Sequence, residues 1–263
     1  MLYDDQATQF DERAGIPAQA AEAVADELAA LVGLGDGQTV LDVGCGTGAV
    51  TLPLLRRRIR YVGFDRSAEM LETFRARAAQ AALAADLHVA DGNGPWPAED
   101  GRVDVVFSAR ALHHLDPAHA AAQVRRVLRP GGGWLVAARV RRSPDSPKSV
   151  LRRQMRRTLE AEGLRGRSGE AGVEAVFAAL EAAGGRRVAA RTAARWTVPH
   201  RPADSIEAWE GKNGLAGLDV PPAIKSRVLN ELRAWAADHF GDLRRIVEQD
   251  EAFELAAIRI AGP

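Results

Sequence analysis

Nine residues, Val40-Leu41-Asp42-Val43-Gly44-Cys45-Gly46-Thr47-Gly48, constrain this chain more than any other stretch. An apolar run closes on an acid and passes at once into glycines on alternate positions. Such a run reads as a strand buried on both faces, the pattern of a parallel sheet. Glycines at 44, 46 and 48 let the backbone turn sharply and leave no Cβ between the chain and a ligand. The expected continuation is a helix whose positive N-terminal end faces the turn. Cys45, inside the turn, reads as a small packing residue rather than a nucleophile.

Two cofactor classes compete for a turn of this kind. Gly44-x-Gly46-x-x-Ala49 satisfies the dinucleotide pattern, with Asp65 about twenty residues on as its ribose acid. The same stretch resembles the first motif of the S-adenosylmethionine-dependent methyltransferases. That family carries an acid two residues before the first glycine, here Asp42, and often the wording Gly-Cys-Gly-Thr-Gly.

Downstream, Tyr61-Val62-Gly63-Phe64-Asp65 is a second short strand ending on a carboxylate. A ribose presents two adjacent hydroxyls and one carboxylate accepts from both, so Asp65 is the expected ribose ligand under either reading. Arg66-Ser67-Ala68-Glu69-Met70-Leu71 opens a helix with Ser67 as N-cap. With Asp65 it matches the family's Asp-x-Ser-x-x-Met-Leu at every position. Met70 reads either as a core filler or as a contact to the adenine. A third strand, Leu87–Ala90, ends at Asp91-Gly92. Asp91 either caps the turn before Asn93-Gly94-Pro95 or, as the resemblance implies, accepts from the adenine amino group beside a backbone donor. A fourth strand, Val103–Phe107, leads to Ser108-Ala109-Arg110 and then His113-His114-Leu115, a wording that small-molecule members share. After a helix over Ala118–Leu128, the turn Arg129-Pro130-Gly131-Gly132-Gly133 precedes a fifth strand, Trp134–Ala138. Five stations in this order resemble a class I S-adenosylmethionine-dependent methyltransferase; a dinucleotide dehydrogenase accounts for the first two only.

The resemblance implies an α/β fold, a doubly wound Rossmann-like sheet of seven strands. One strand near the C-terminal edge is antiparallel, and helical lid insertions are added. S-adenosylmethionine is the implied cofactor, lying across the C-terminal ends of strands one, two and three. Its expected site comprises Asp42, Gly44, Cys45, Gly46, Asp65, Arg66, Met70, Asp91, Gly92 and Ser108. His113 is the first candidate for a general base or a substrate contact; the alternative is that His113 and His114 both cap or pack the helix. No zinc-ligand spacing is present. After Phe107 the chain lacks the Asn/Asp-Pro-Pro-aromatic wording of adenine-amino methyltransferases. With Cys45 the only cysteine, double-cysteine chemistry on RNA cytosine is excluded. A small-molecule acceptor follows by elimination. The alternatives are an RNA or protein methyltransferase docking through Arg139–Arg167, and a catalytically silent S-adenosylmethionine-binding module.

Thirty-five basic residues balance thirty-five acidic ones, so no global field argues for nucleic acid or an anionic membrane. The lone cysteine fits a reducing compartment. The acidic, polar start Met1–Asp5 has no signal-peptide pattern, and no apolar run is long enough to span a bilayer, so a cytoplasmic location is expected. Lysine occurs only at 148, 212 and 225 among those thirty-five, which reads as the coding bias of a GC-rich bacterial genome and devalues arginine runs. Even so, Arg139–Arg167 holds ten basic and three acidic residues, a balance of plus seven. On a helix Arg152, Arg153, Arg156 and Arg157 would form one face. That face is either solvated or made for a carboxylated or phosphorylated substrate or an RNA backbone; no aromatic residue interleaves as base stacking requires.

The chain is expected to be one methyltransferase domain over 1–263. Residues 1–35 give a cofactor-covering segment with Tyr3, Phe10 and Arg13, where an aromatic ring could face the sulfonium. A helix follows, opened by Pro17, carrying Val24, Leu28 and Leu31, and ended by Gly33 and Gly35. Residues 36–139 form the cofactor-binding core and 140–168 a basic helical insert. The C-terminal half, 169–263, begins with an amphipathic helix over Gly169–Gly184 and a sixth strand over Arg187–Val198. A helical cap at about 199–248 and a last strand over Ala252–Ile260 complete it. Trp196, Trp209 and Trp235 read as core or as a substrate box, and Trp209–Leu215 as a loop.

Overall fold

A computed structural model describes residues 16–165 and 169–261; Tyr3, Phe10, Arg13 and Arg167 lie outside the described residues. The chain divides into two compact units. The first comprises Met1–Val140, Gly169–Arg195 and Ala252–Pro263, the second Arg141–Ser168 and Trp196–Glu251.

Apolar runs build the first unit's sheet. Strand β1 (Thr39–Val43) is buried at every residue, as a central parallel strand covered on both faces must be. It pairs in parallel with β2 (Arg60–Asp65), so that Val43 lies beside Phe64, and with β4 (Val105–Ala109) on its other edge. Strand β3 (Asp86–Val89) extends the sheet beyond β2, and β5 (Gly133–Arg142) beyond β4. The spatial order is β3-β2-β1-β4-β5-β8-β6, with β6 (Arg186–Arg187) antiparallel to β8 (Val247–Ile260) and β7 (Arg191–His200) pairing β8 off this path. The expected sixth strand is thus broken at residues 188–190, giving eight strands where seven were expected. The last strand begins five residues early, at Val247 instead of Ala252.

Local rules place the helices. Pro17, with φ −62°, precedes α1 (Ala18–Val32), and Gly33 closes it in the left-handed conformation, its N–H returning to the Ala29 carbonyl. The Ser67 hydroxyl caps α2 (Ala68–Gln80) by accepting from the Met70 N–H. Asp116 caps α3 (Pro117–Val127) at the His119 N–H, 2.8 Å away. One continuous core joins Leu41, Phe64 and Val106 of the sheet to Val124 of α3 and Phe177 of a helix over Gly169–Ala182.

One expectation fails beside the glycine turn: no α-helix follows it. Gly48 has φ +72°, which breaks the right-handed path, and Pro53 gives no N–H to a helical ladder. What forms instead is a short 3₁₀ helix, Leu52–Arg56.

In the second unit, α4 (Pro147–Ala161), α6 (Pro202–Glu210) and α7 (Pro222–Phe240) each begin on proline; α5 is the helix Gly169–Ala182 of the first unit. Leu151, Met155, Ile206, Trp209, Leu229 and Leu232 form their common core. Trp209 therefore sits on a helix inside that core, not in the expected loop. Trp235 stacks on His239 at 4.7 Å between ring centroids.

Candidate functional site

Parallel strands bring their C-terminal ends to one edge, so the turns after β1 and β2 lie side by side. The Gly44 and Cys45 N–H groups both donate to the Phe64 carbonyl, at 2.9 and 3.1 Å. The Gly46 N–H donates to Asp65 Oδ2 at 3.1 Å, and the Ser67 N–H to Asp65 Oδ1 at 2.9 Å. The Gly48 N–H donates back to the Cys45 carbonyl. Asp65 is thereby held by two backbone donors, one on each oxygen, with lone pairs left over for a ligand.

The glycines play different parts. A Cβ on Gly44 would fall 2.2 Å from the Ala111 Cβ, and one on Gly48 would fall 2.4 Å from the Phe74 ring. At these two positions the missing side chain makes room for the protein itself. At Gly46 a Cβ would meet only Asp65 Oδ2, at 4.0 Å, so this is the position that opens toward a ligand. Cys45 is buried and its thiol is pushed up in pKa, first by burial and then by the Asp42 and Asp65 carboxylates. It is no nucleophile in this state.

Asp42 lies wholly inside, 1% exposed, and its Oδ2 accepts from the Tyr61 hydroxyl at 2.7 Å. The Thr51 hydroxyl stands 3.2 Å from the same Tyr61 oxygen. Asp42 Oδ1 is buried with no hydrogen-bond partner among the described residues. Burial raises the Asp42 pKa to about 7, against the pull of the Tyr61 and Thr51 hydroxyls. The folded state therefore holds a proton between about pH 4 and 7 that the unfolded chain releases, so Asp42 makes stability fall as pH rises through that window. The full cost, up to about 4 kcal/mol, is present above it. His113 works in the opposite sense, because burial and then the His114 and Arg110 charges lower its pKa to about 4. Its contribution is lost as pH falls from about 6.5 to 4. Asp42→Asn should then be stabilised relative to wild type at pH 8, with that advantage gone at pH 5. Urea unfolding midpoints at the two pH values check this; an equal difference at both would exclude a protonated Asp42.

The turn after β4 closes over the first two. The Ser108 hydroxyl donates to the Val43 carbonyl at 2.9 Å, so Ser108 ties β4 to β1. Arg110 is held at φ +64°, a costly conformation for a residue with a side chain, and it presents Ala111 to Gly44. The His113 and His114 rings then meet at 3.9 Å between centroids, tilted by 40°, on a single 3₁₀ turn, Leu112–His114. Arg66, exposed at the end of β2, is close enough to His114 for its charge to lower that imidazole's pKa after burial has done so. Met70 is buried, 4% exposed, on α2.

The turn after β3 is knitted to the same loop. Asp91 is exposed, and its Oδ1 accepts from the Asn93 N–H at 2.9 Å, the geometry of a turn cap. Asn93 Oδ1 accepts from the Asp116 N–H at 2.7 Å, and a Cβ on Gly92 would strike Leu115 at 2.5 Å. Tyr61, Ala111 and Asn93 were not singled out from sequence. Tyr61 reads there as one more apolar strand residue and Ala111 carries no local signal; Asn93, one of three asparagines in the chain, offers the only hint.

Among the described residues no cluster of His, Cys, Asp or Glu could hold a metal, and no helix is long and apolar enough to cross a membrane. Residues 40–132 match the family model described as a methyltransferase domain. An uncharacterised methyltransferase of Mycobacterium tuberculosis is 44% identical over 93 residues, 35% of this chain and 36% of that protein. The trans-aconitate 2-methyltransferase of an Azoarcus species is 38% identical over 135 residues, 49% of each chain. The chain thus spans between a third and a half of the length of these relatives. A geranyl diphosphate methyltransferase solved with S-adenosylmethionine has the same fold, with a TM-score of 0.52 at 17% identity over 97% of this chain and 89% of that one.

Proposed function

We propose that the chain, whose residues 40–132 match a methyltransferase domain, moves a methyl group from S-adenosylmethionine to a small-molecule acceptor. The bound cofactor supplies a methyl carbon already activated by its sulfonium, so the acceptor's lone pair forms the new bond as the carbon–sulfur bond breaks. The protein's share is to hold both partners in line in a dry site.

The observation that carries this reading is how the glycine turn spends its N–H groups. A dinucleotide rests its diphosphate on free backbone N–H groups at a helix N-terminus. Here those of Gly44, Cys45, Gly46 and Gly48 already donate to protein oxygens, the Asp65 carboxylate stands beside them, and no α-helix follows. The arrangement suits a ligand that brings ribose hydroxyls and no phosphate. Asp65 would take the two hydroxyls; Gly46 would let the ligand lie against the backbone; the unpartnered Asp42 Oδ1 and Asp91 are the remaining acceptors on hand.

His113 is assigned to the acceptor. With its pKa lowered to about 4 it is neutral at physiological pH, able to accept a hydrogen bond from the acceptor but a weak proton acceptor. A proton need be taken only when the acceptor starts protonated. The relatives' acceptors, trans-aconitate and geranyl diphosphate by name, favour a small molecule.

Calorimetric titration with S-adenosylhomocysteine, with NADH as control, tests the reading. Binding of the first alone, in the micromolar range typical of such cofactors, is expected. Binding of NADH alone, or of neither, would overturn it.

A further inference from the structure

The second unit gathers cations for which methyl transfer has no evident use. Several arginines elsewhere are met by acids: Arg56 by Glu22, Arg57 by Asp26, Arg187 by Glu174 and Arg227 by Glu162. Others, such as Arg60 and Arg125, stand alone at the surface among the described residues. Helix α4 differs in gathering such cations along one stripe. Lys148, Arg152 and Arg156 recur at every fourth position and share one stripe, beside the buried Leu151, Met155 and Leu159. Among the described residues, the side chains of these three have no hydrogen-bond or ion-pair partner, and the Arg156 Nε is buried without an acceptor.

Arg142, at the end of β5, adds a fourth charge that acts on both Lys148 and Arg152. The carboxylate beside it, Glu251, is 4% exposed and already engaged: Arg142 Nε lies 2.5 Å from its Oε1, and Gln249 Nε2 donates to the same oxygen at 3.0 Å. Burial, then Arg142, lowers the Lys148 pKa to about 8; Glu251 opposes this, while Arg152 and Lys212 add to it, and His200 faces the same ammonium. Lys148, Arg156 and Arg142 are half-buried and Arg152 is exposed. Gathering like charges, three of them partly withdrawn from water, costs free energy, and a bound anion relieves that cost.

The chemistry of the cluster narrows the ligand. Guanidinium groups match carboxylate and phosphate oxygens in paired hydrogen bonds. No Phe, Tyr or Trp lies between 139 and 167, so the stretch offers no stacking platform for nucleic-acid bases. Two of the chain's three lysines, Lys148 and Lys212, belong to this neighbourhood, although arginine is otherwise the rule.

We infer that Arg142, Lys148, Arg152 and Arg156 form a binding site for a small organic anion bearing carboxylate or phosphate groups. That the anion is the acid group of the methyl acceptor rests on the reading of methyl transfer to a small molecule; the site itself does not.

The experiment titrates the full chain with citrate and with pyrophosphate, each with and without S-adenosylhomocysteine. At least one anion is expected to bind with a sub-millimolar Kd, and Arg152→Gln with Arg156→Gln to weaken it about tenfold or more. S-adenosylhomocysteine affinity should stay the same in that variant, which shows that it has folded. Preference for citrate marks a carboxylic ligand, and preference for pyrophosphate a phosphorylated one. Three outcomes would overturn the site: no saturation below about 10 mM, equal binding by the variant, or tighter and steeply salt-dependent binding of a single-stranded oligonucleotide. Loss of S-adenosylhomocysteine binding in the wild type would instead sink the methyl-transfer reading and leave the anion titration standing.

Discussion

Asp65→Ala should lose at least about two orders of magnitude in affinity for S-adenosylhomocysteine, with a smaller loss of stability. The expected ligand bonds are two, from adjacent ribose hydroxyls to one carboxylate. Hydrogen bonds to a charged group contribute about 1.5–3 kcal/mol each. Losing both removes roughly 3 kcal/mol or more, and each 1.4 kcal/mol is a factor of ten. The same substitution also strips the Gly46 and Ser67 N–H groups of their acceptor, so the turn that presents the ligand loosens. Asp65→Asn separates the two effects. Its one carbonyl oxygen can serve only one of the two N–H groups, with the NH2 facing the other, so part of the stability should return while much of the affinity does not. Calorimetry and thermal unfolding read these independently; an unchanged Kd in the alanine variant would remove Asp65 from the ribose role.

What local sequence could show is bounded by what is decided locally. Ser67 as a helix cap, Gly33 as a helix stop and the apolar strands up to β5 follow from neighbours a few residues apart, and they were read from the chain nearly where they lie. The last strand reads short because its first five residues, Val247–Glu251, are mostly polar and show no apolar run. It is held by partners far off in sequence, such as Thr197 at Asp250 and Arg142 at Glu251. The α-helix expected after the glycine turn failed for a related reason: the pattern of an apolar run feeding a glycine turn carries no sign of the left-handed Gly48 and leaves Pro53 out of account.

At the site, residue types were legible and their partners were not. Asp42 was legible as the acid before the turn. That Tyr61, nineteen positions on, would hold it in the interior was not. The basic stretch and the helical cap were read as separate inserts. Both fall in one compact unit, because Met155 of the first and Leu229 of the second share a core that no local pattern announces.

The three glycines of the turn look equivalent in sequence, and Gly44→Ala against Gly46→Ala should show that they are not. At Gly44 the new Cβ would sit 2.2 Å from the Cβ of Ala111, a group with no rotamer to move away. Relief would require shifting the Arg110–Ala111 backbone, with Arg110 already at positive φ, or unbending a residue whose own φ is +72°. Overpacking costs about 1–3 kcal/mol and a left-handed residue with a side chain about 1–2 kcal/mol more. A loss of roughly 3 kcal/mol or more is expected, enough to lower the unfolding midpoint by several degrees. Cofactor binding should fall with it, since the Gly44 N–H is bonded to the Phe64 carbonyl, next to Asp65. Gly46 also has positive φ, but its Cβ would meet only Asp65 Oδ2 at 4.0 Å. Gly46→Ala should therefore cost only about 1–2 kcal/mol of stability while blocking the face that opens toward the ligand. If the two variants lost stability and cofactor affinity in the same proportion, the turn would be a single rigid scaffold and Gly46 would have no separate part in binding.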